Sequence, residues 1–422
     1  MPEARAPGAL AGVQVVEYGQ GVSGPYCGKL LADLGAEVIK VEPPALGDQA
    51  RRWAPFGDDT PGPAASGLFL YLNTSKLGVT LDLAAPSGRQ LFQRLLADAD
   101  VLVENHPPRL ARRLGLGYRG LAHQFPRLVV ASITSFGQTG PHRDYQATDL
   151  VAAHVSGIAR GTQGKVRDPE LYPPVRPGGR QADFVAGLTA AMATMFALFH
   201  RDWTGRGQHV DISAQEALAS FFRMEIAYYT HDPKGMYQQL FGSRTGTGFA
   251  VDFLPCQDGY VVNGNREEYQ WLAFFRAVLG PDFASDPGLR AAMGGDPARL
   301  ETVAIREHWP TLKPWMTSWA RGLTKAEVYR LAFDHRFPIG PVNTTADLFR
   351  SEQIAAREYF VEVAHPATGP VKYPGPPYKL NGTPASLRSP APALGQHNDD
   401  VYCGRLGLGR EELVQLRRAG IV

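Results

Sequence analysis

A chain of 422 residues, of which 44% are hydrophobic and 20% charged, is long enough for two or three domains and has the composition of a globular protein. The balance of 43 basic against 41 acidic residues leaves a net charge of only +2. That balance excludes the strong positive field by which a protein attracts nucleic acid or an anionic membrane surface.

The three cysteines, Cys27, Cys256 and Cys403, are far apart and odd in number, which excludes a disulfide framework and a CxxC metal site. The N-terminal residues lack the cationic and apolar pattern of a signal peptide, and no apolar run approaches the ~18 residues that span a bilayer. We therefore expect a cytoplasmic protein in a reducing compartment, with no metal and no membrane partner.

Residues 13–41 predict a strand, a helix and a second strand. The segment GVQVVEY is apolar and β-branched, GPYCGKLLADLGA has amphipathic spacing, and EVIKVE is apolar again. The connection after the first strand, Gly19-Gln-Gly21-Val-Ser-Gly24, has the form GxGxxG and is followed by the acidic Glu42. This pattern is typical of dinucleotide binding, so a nicotinamide-dependent dehydrogenase is one interpretation. The other is a tight turn that needs glycine for its backbone geometry.

The alternation of strands and helices continues, which predicts an α/β domain with several parallel strands. SGRQLFQRLLADAD has helical spacing, and VLVEN and RLVVASITSFG are strand-like. If loops at the carboxyl edge of this sheet bring basic side chains together, they suit a polyphosphate ligand. The candidates in the first third of the chain are Arg51, Arg52, Lys76, Arg109, Arg112, Arg113 and Arg143.

The central stretch PPVRPGGRQADFVAGLTAAMATMFALFH predicts a glycine-punctuated loop followed by a long helix, with Asp183 at or just before the first turn. Large apolar residues recur at helical spacing until Thr-Gly-Arg-Gly ends the pattern. A helix N-terminus favours an ionised carboxylate because of the first-turn N–H groups and the macrodipole. Asp183 is therefore either a helix N-cap or a carboxylate kept ionised for chemistry.

Beyond Tyr229 the composition changes to short strand-like pieces and helices rich in Trp and Phe, which predicts a smaller α+β domain. We expect a large domain over 1–229, the small domain over 230–330, and a return to the large domain over 331–422. That last part predicts a helix around 345–359, an extended segment rich in Pro and Gly, and a final helix in EELVQLRRAG.

The assembled motifs resemble those of the class III CoA-transferase family, which includes formyl-CoA and carnitine CoA-transferases (the CaiB/BaiF type). The resemblance covers nearly the whole chain, and several matches in the right order are more specific than one motif. The segments that carry it include LAGVQVVEYGQGVSGPYCGKLLADLGAEVIKVEPP, LNTSKLGVTLDL, ADVLVENHPP, SITSFGQTGP, ADFVAGLTAAMATMFALFHRDWTGRGQHVDIS, FPIGPVNT and APALGQHND.

The resemblance implies a Rossmann-like large domain built from both chain ends, a small middle domain, and two chains interlocked as a homodimer. It implies coenzyme A and acyl-CoA as substrates, a carboxylic acid as acceptor, and no permanently bound cofactor. By the same likeness Asp183 is the catalytic aspartate. The residues expected to contact CoA are Asn105, Arg113, Gln20, Leu81 and His106.

Two departures from the family pattern accompany these assignments. His106 stands where the formyl-CoA members have an aromatic residue, and the glycine-run loop of those members has no clear counterpart beyond 242–248. The aromatic residues of the middle part are expected either to line an acyl pocket or to pack in the core. They are Tyr228, Tyr229, Phe249, Phe253 and Tyr260.

The chemistry that the resemblance implies is nucleophilic attack by Asp183 on a thioester, giving a mixed anhydride and then an aspartyl-CoA thioester. An acyl-CoA racemase is an alternative, but it needs an acid and a base on opposite faces of the substrate. Related racemases have a His directly before an Asp where this chain has Thr148-Asp149, which leaves His154 as a substitute base. A CoA-binding relative in which Asp183 is only a cap is the non-enzymatic alternative.

Overall fold

The computed structural model describes residues 7–56, 62, 65–159, 177–232, 234, 252–293, 296–297 and 302–422. Contacts divide the chain into two units. The large unit holds the described residues up to 159 with 177–224 and Ala356–Val422, and the small unit holds those within Glu225–Ala355. The domain boundaries given above stay a prediction, because a division by contacts does not show that either unit folds alone.

The large unit is built on a six-stranded sheet in the order β3-β2-β1-β4-β5-β6, with every neighbouring pair parallel. The strand sequences are nearly continuous apolar runs because both faces of the sheet are covered. This confirms the predicted α/β architecture. The strands are β1 Gln14–Tyr18, β2 Glu37–Glu42, β3 Lys76–Thr80, β4 Val101–Glu104, β5 Val129–Thr134 and β6 His209–Ser213.

Helices pack on both faces of this sheet and enclose two apolar cores. One core contains residues of α1 and α7, and the other contains residues of α3, α5 and the C-terminal segment. The helices up to β6 and just after it are α1 Ser23–Asp33, α2 Gly67–Leu72, α3 Pro86–Ala97, α4 Pro108–Arg113, α5 Tyr118–Gln124, α6 Asp149–Val155, α7 Gln181–Thr204 and α8 Ala214–Ala219.

Helix α7 is the predicted central helix, and Gly205, at a φ of 72°, ends it in the left-handed conformation. Its small residues, mostly alanine, are buried against α1 and the sheet. Several of its large apolar residues face outward, with exposed fractions of 48% for Leu188, 65% for Phe196 and 81% for Trp203, whereas Leu198 is buried. By length and composition α7 passes as a membrane span, a test that a core helix also meets; 44% of its most apolar window is buried.

The small unit contains an antiparallel sheet in the order β7-β8-β9, with β7 Asp252–Cys256, β8 Gly259–Asn263 and β9 Ile339–Pro341. Its core is aromatic and centres on Trp271, Phe274 and Phe275. The predicted helix around 345–359 is two short helices. The helices of the middle part are α9 Arg223–His231, α10 Glu268–Leu279, α11 Pro287–Met293, α12 Thr302–Arg321, α13 Lys325–His335, α14 Thr345–Arg350 and α15 Glu352–Ala356.

The candidate acyl-pocket aromatics lie apart from this core where they are described. Tyr229, Phe253 and Tyr260 are each more than half exposed. Phe249 and the glycines of 242–248 lie outside the described residues.

The C-terminal segment returns to the large unit through a hairpin, β10 Phe360–His365 with β11 Gly369–Pro374, and ends in α16 Arg410–Arg418. Between them the chain first runs without helix or strand along strand β3, as the Pro and Gly content predicts, and then forms one π-helix over Asp399–Arg405. The β3 backbone N–H groups of Gly78 and Thr80 donate to His397 Nδ1 and Asn398 Oδ1 at 3.0 and 2.9 Å. A Cβ on Gly78 would lie 2.7 Å from Pro392, so this approach requires glycine.

Candidate active site

A cavity of about 470 Å³ opens at the carboxyl ends of β1, β4 and β5. Strands β1 to β3 are added toward one edge of the sheet, and strands β4 to β6 are added toward the other edge. The gap between β1 and β4 is therefore the switch point, where open α/β sheets bind ligands. The walls come from the GxGxxG turn, the loop after β4, the loop before α6, and the start of α7. The residues that line the cavity include Gln20, Ser23, Trp53, Asn105, His106, Arg143, Thr148, Asp149, Arg180 and Asp183.

The side chain of Asn105 joins the two sides of this switch point. Its Oδ1 accepts from the backbone N–H of Gln20 at 2.9 Å, and its Nδ2 donates to the Gln20 carbonyl at 2.7 Å and to Ser23 Oγ at 3.0 Å. A Cβ on Gly24 would lie 3.2 Å from Asn105 Cγ, so glycine lets the amide approach the turn. The GxGxxG pattern therefore serves a close contact between the β1 turn and the loop after β4.

A buried ion cluster of Glu17, Lys40, Asp48 and Lys76 supports the same turn, and each of these side chains is at most 1% exposed. Lys40 Nζ donates to Glu17 at 2.9 Å, to Asp48 at 2.8 Å and to the Gly19 carbonyl at 3.1 Å. Burial lowers the pKa of Lys40, but Asp48 and Glu17 outweigh burial and raise it above its ordinary value. The cluster holds the turn through fixed charges.

Two of the predicted binding residues are buried in the protein interior, where each is paired with a carboxylate. Lys76 donates to Glu17 at 2.7 Å and is 1% exposed, so its assignment to a polyphosphate ligand is wrong. Arg51 is also buried, and both oxygens of Glu42 accept from its guanidinium at 2.7 Å. Because that carboxylate is engaged, Glu42 is not available to a ribose, and the dehydrogenase interpretation loses its acidic residue.

Asp183 lies in the first turn of α7, as predicted, but it is not the helix cap. Arg180 occupies the N-cap position and makes no side-chain capping bond. Instead Asp149, on α6, accepts a hydrogen bond from the backbone N–H of Asp183 at 3.1 Å. Burial, followed by the nearby charge of Asp149, raises the pKa of Asp183 to about 6, against the lowering effect of Arg180. Asp183 is therefore mostly ionised at pH 7 while it lines the cavity.

Arg180 is the cation beside Asp183. Its Nη1 lies 3.7 Å from Asp183 Oδ2, and its guanidinium carbon lies 4.0 Å from the centroid of the Trp53 ring. The side chains of Arg180 and Asp183 remain 41% and 30% exposed. The pair is thus open to the contents of the cavity.

His106 is 8% exposed and lines both this cavity and a neighbouring crevice of about 460 Å³. Its backbone N–H donates to Glu104 Oε2 at 2.8 Å, and its ring lies 4.9 Å from that of Tyr18. Burial lowers the pKa of His106 to about 4, so its imidazole is neutral at pH 7. A neutral ring can donate or accept a hydrogen bond to an uncharged ligand group.

Arg113 is exposed on the wall of the neighbouring crevice, whose lining also includes Asn105 and Gln20. Three other predicted arginines converge on Asp144 at 3.1, 3.5 and 3.9 Å: Arg109, Arg143 and Arg112. Leu81, by contrast, is fully buried in the apolar core, so its side chain offers no surface to a ligand. Its assignment to CoA stays a prediction.

The sequence profile of CoA-transferase family III matches residues 10–398 of the chain. The chain belongs to CoA-transferase family III. This CoA-transferase is 30% identical to succinyl-CoA–D-citramalate CoA-transferase of Chloroflexus aurantiacus over 100% of both chains. It is 31% identical to formyl-CoA:oxalate CoA-transferase of Streptomyces coelicolor, over 98% of this chain and 99% of that one.

Among solved structures, a CaiB/BaiF family protein from Brucella suis matches the CoA-transferase with a TM-score of 0.78 at 26% identity, over 97% of this chain and 100% of that one. The family resemblance drawn from the motifs is thereby confirmed, and with it the class of enzyme and the use of CoA thioesters.

Among the described residues, neither Thr148 nor His154 supplies the base that a racemase would need beside Asp183. Thr148 lines the cavity but has no group that titrates in the neutral range. The His154 ring is exposed and its Nδ1 lies 2.7 Å from the Leu150 carbonyl of its own helix, and His154 is not among the described residues that line the cavity. His154 is therefore not a substitute base.

Three residues, Asp149, Trp53 and Arg180, could not be placed beside Asp183 from the sequence, although the comparison with racemases had already pointed to Asp149. Asp149 and Trp53 reach Asp183 and Arg180 only through tertiary contacts. Arg180 carried a signal, since a basic residue three positions before an acidic one at the start of a helix can form an (i, i+3) pair.

Proposed function

We propose that this enzyme transfers coenzyme A from an acyl-CoA donor to a carboxylic acid through covalent intermediates on Asp183. The observation that carries the proposal is the position of the Asp183 carboxylate, which lines the cavity at the switch point beside the guanidinium of Arg180. A carboxylate that is already an anion needs no general base to act as a nucleophile.

In the first half of the reaction an Asp183 oxygen attacks the donor thioester carbonyl. A C–O bond forms and the C–S bond breaks. CoA departs as the thiolate, and a mixed anhydride between the acyl group and Asp183 remains. The thiolate then attacks the Asp183 carbonyl of that anhydride and releases the donor acid, which leaves an aspartyl-CoA thioester. The acceptor carboxylate repeats these steps in reverse order, so that acyl-CoA is formed and the Asp183 carboxylate returns.

We propose that CoA occupies the crevice beside the cavity. Arg113 is exposed there and suits a phosphate group, and the neutral imidazole of His106 suits an amide of the pantetheine arm. Asn105 and Gln20 are proposed to contact CoA while their mutual hydrogen bonds hold the turn. Leu81 can contribute only through its backbone, because its side chain is buried.

Trapping with hydroxylamine tests the covalent route. Enzyme incubated with succinyl-CoA, acetyl-CoA or another acyl-CoA should accumulate a hydroxamate at Asp183, detected by peptide mass analysis, because hydroxylamine attacks an activated aspartyl carbonyl. A screen of carboxylic acids with the same donors then identifies the acceptor. Appearance of the label on Asp149 or Asp211, or on no residue with any active donor, contradicts the mechanism.

A heavy-water experiment separates transfer from racemisation. Because the described cavity offers no histidine base opposite Asp183 in the place where related racemases have one, a 2-methylacyl-CoA should keep its α-hydrogen during incubation with enzyme in deuterium oxide. Enzyme-dependent uptake of deuterium at that carbon, followed by NMR, favours a racemase instead.

We also propose that the enzyme is a cytoplasmic homodimer of interlocked chains. The outward apolar residues of α7, including Phe196, Phe199 and Trp203, are of the kind that subunit contacts cover in soluble oligomers. Two differently tagged, separately purified forms should sediment as dimers and give no mixed dimer without unfolding. Ready exchange of subunits, or a monomer in sedimentation, contradicts this.

A further inference from the structure

Arg180 has two partners in the cavity, a close contact with the Trp53 ring and a longer contact with the Asp183 carboxylate. Its guanidinium stacks on Trp53 at 4.0 Å, which fixes the plane of the fork. Its contact with Asp183, at 3.7 Å, is longer than an ordinary N–H···O hydrogen bond. Within the described chain no other carboxylate is paired with this guanidinium. The fork therefore faces a single, loosely held counter-ion inside the cavity.

That counter-ion disappears during the proposed reaction. When Asp183 carries CoA as a thioester, its side chain is uncharged, whereas the guanidinium of Arg180 is still a cation. A guanidinium beside a cavity then lacks a carboxylate at the moment when the acceptor, itself a carboxylate, has to approach the Asp183 carbonyl. The planar fork matches two carboxylate oxygens, which a lysine in the same place would not.

We propose that Arg180 binds the reacting carboxylate of the acceptor acid, exchanging the Asp183 carboxylate for it when Asp183 becomes acylated. This inference rests on the proposed function and names the residue that positions the second substrate. In the step that follows, an acceptor oxygen attacks the Asp183 carbonyl carbon, the C–O bond forms, the C–S bond breaks, and CoA leaves as the thiolate. By microscopic reversibility the same fork holds the donor acid as it departs.

The Asp183→Asn variant imitates the acylated state because its side chain has the same shape and no charge. Acetate is the probe, since it is a carboxylate small enough for any acyl site, and its affinity is measured by titration calorimetry or NMR at pH 7.5. Asp183→Asn should bind acetate at least about tenfold more tightly than the wild type, because a like charge is removed and the fork gains a new anion. Adding Arg180→Gln should abolish that gain.

Two further variants separate recognition from general charge and from folding. Arg143→Gln removes another partly exposed cation from the same cavity, so Asp183→Asn/Arg143→Gln should keep acetate affinity within about twofold of Asp183→Asn. Arg180→Lys, added to Asp183→Asn, keeps the positive charge but loses the planar fork. It should retain only part of the gain in acetate affinity. Melting curves of all variants check that the fold is kept.

The inference is overturned if Asp183→Asn binds acetate no better than wild type. It is equally overturned if adding Arg180→Gln to Asp183→Asn leaves the acetate affinity unchanged. It is also overturned if Arg143→Gln reduces the affinity as much as Arg180→Gln does. Failure of the proposed function shows elsewhere, as the absence of a hydroxamate on wild-type Asp183, so the two failures are distinct. A wild-type hydroxamate together with an unresponsive Arg180→Gln rejects only the role of Arg180.

Discussion

Two groups of opposite charges in the large unit use the same chemistry in different ways. In the buried ion cluster, contacts of 2.7–2.9 Å join Glu17, Lys40, Asp48 and Lys76, and no side chain is more than 1% exposed. In the pair Arg180–Asp183 the contact is 3.7 Å and both side chains face the cavity. Buried, multiply bonded charges fix a backbone turn, whereas a loose pair leaves its carboxylate able to react.

Removal of the proposed nucleophile, the Asp183 carboxylate, should have the largest effect on activity. Asp183→Asn keeps the shape of the side chain but cannot form the anhydride, so CoA transfer should fall by at least about 10³-fold. Circular dichroism and CoA binding should remain close to those of the wild type. Activity above a tenth of the wild-type rate would show that Asp183 is not the nucleophile.

The same variant tests our expectation that the Arg180–Asp183 pair does not stabilise the fold. The pKa of Asp183 is raised to about 6, so its ionisation costs folding free energy as the pH rises from its ordinary pKa through 6. Asp183→Asn removes that cost and should be at least as stable as wild type at pH 8, measured by urea denaturation. A clearly lower midpoint would assign Asp183 a structural role.

Breaking the buried ion cluster should act on stability. Lys40→Met leaves Asp48 buried without its cation, although Glu17 keeps Lys76, so we expect a loss of about 3 kcal/mol in the free energy of unfolding. The matched control is Lys372→Met, an exposed lysine of strand β11, which should change stability by less than about 0.5 kcal/mol. Equal effects of the two substitutions would mean that the cluster is not what holds the turn.

A change of Asp149 should move the pH dependence of catalysis without removing it. The transfer rate should rise with pH as Asp183 ionises near pH 6, and the charge of Asp149 raises that pKa. Asp149→Asn keeps an oxygen that can accept from the Asp183 N–H but loses the charge, so the acidic limb of the kcat profile should shift to lower pH. An unmoved limb would show that Asp149 acts only as a hydrogen-bond acceptor.

The smallest effect is expected at Glu104, a carboxyl under the loop that carries His106. Burial raises the pKa of Glu104 to about 7, so wild-type stability should fall as the pH rises from its ordinary value to about 7 and level off above that. Glu104→Gln keeps an acceptor for the His106 N–H and should flatten this dependence by roughly 1–2 kcal/mol. Denaturant titrations at pH 5 and pH 8 measure the difference.

Strands β1, β2, β4 and β5 could be predicted because a run buried on both faces is mostly apolar, as in Val101–Glu104 and Val129–Thr134. The packing face of α7 could not. Its alanines allow close approach to α1, so they are buried, while Phe196 and Phe199 face outward. Periodicity shows that a helix has an apolar stripe and does not show what covers it.

The candidate nucleophile Asp183 could be proposed from motifs, but its surroundings could not be predicted. Asp149 lies 34 residues from Asp183 in the chain, and only folding brings its carboxylate to that backbone N–H. The basic side chains were harder still, because Lys76 and Arg51 look like surface cations in the sequence and are buried in ion pairs. The sequence alone does not show whether a charged side chain is exposed or buried in an ion pair.

Strand β3 forms one edge of the sheet, and its outward N–H groups pair with residues more than 300 positions later, at His397 and Asn398. During synthesis this edge therefore emerges from the ribosome long before the segment that covers it. For that interval the nascent chain exposes a row of unsatisfied backbone groups, the kind of surface that recruits other strands. We therefore expect chains cut before His397 to be less soluble than the full chain, because they lack the residues that cover this edge of the sheet.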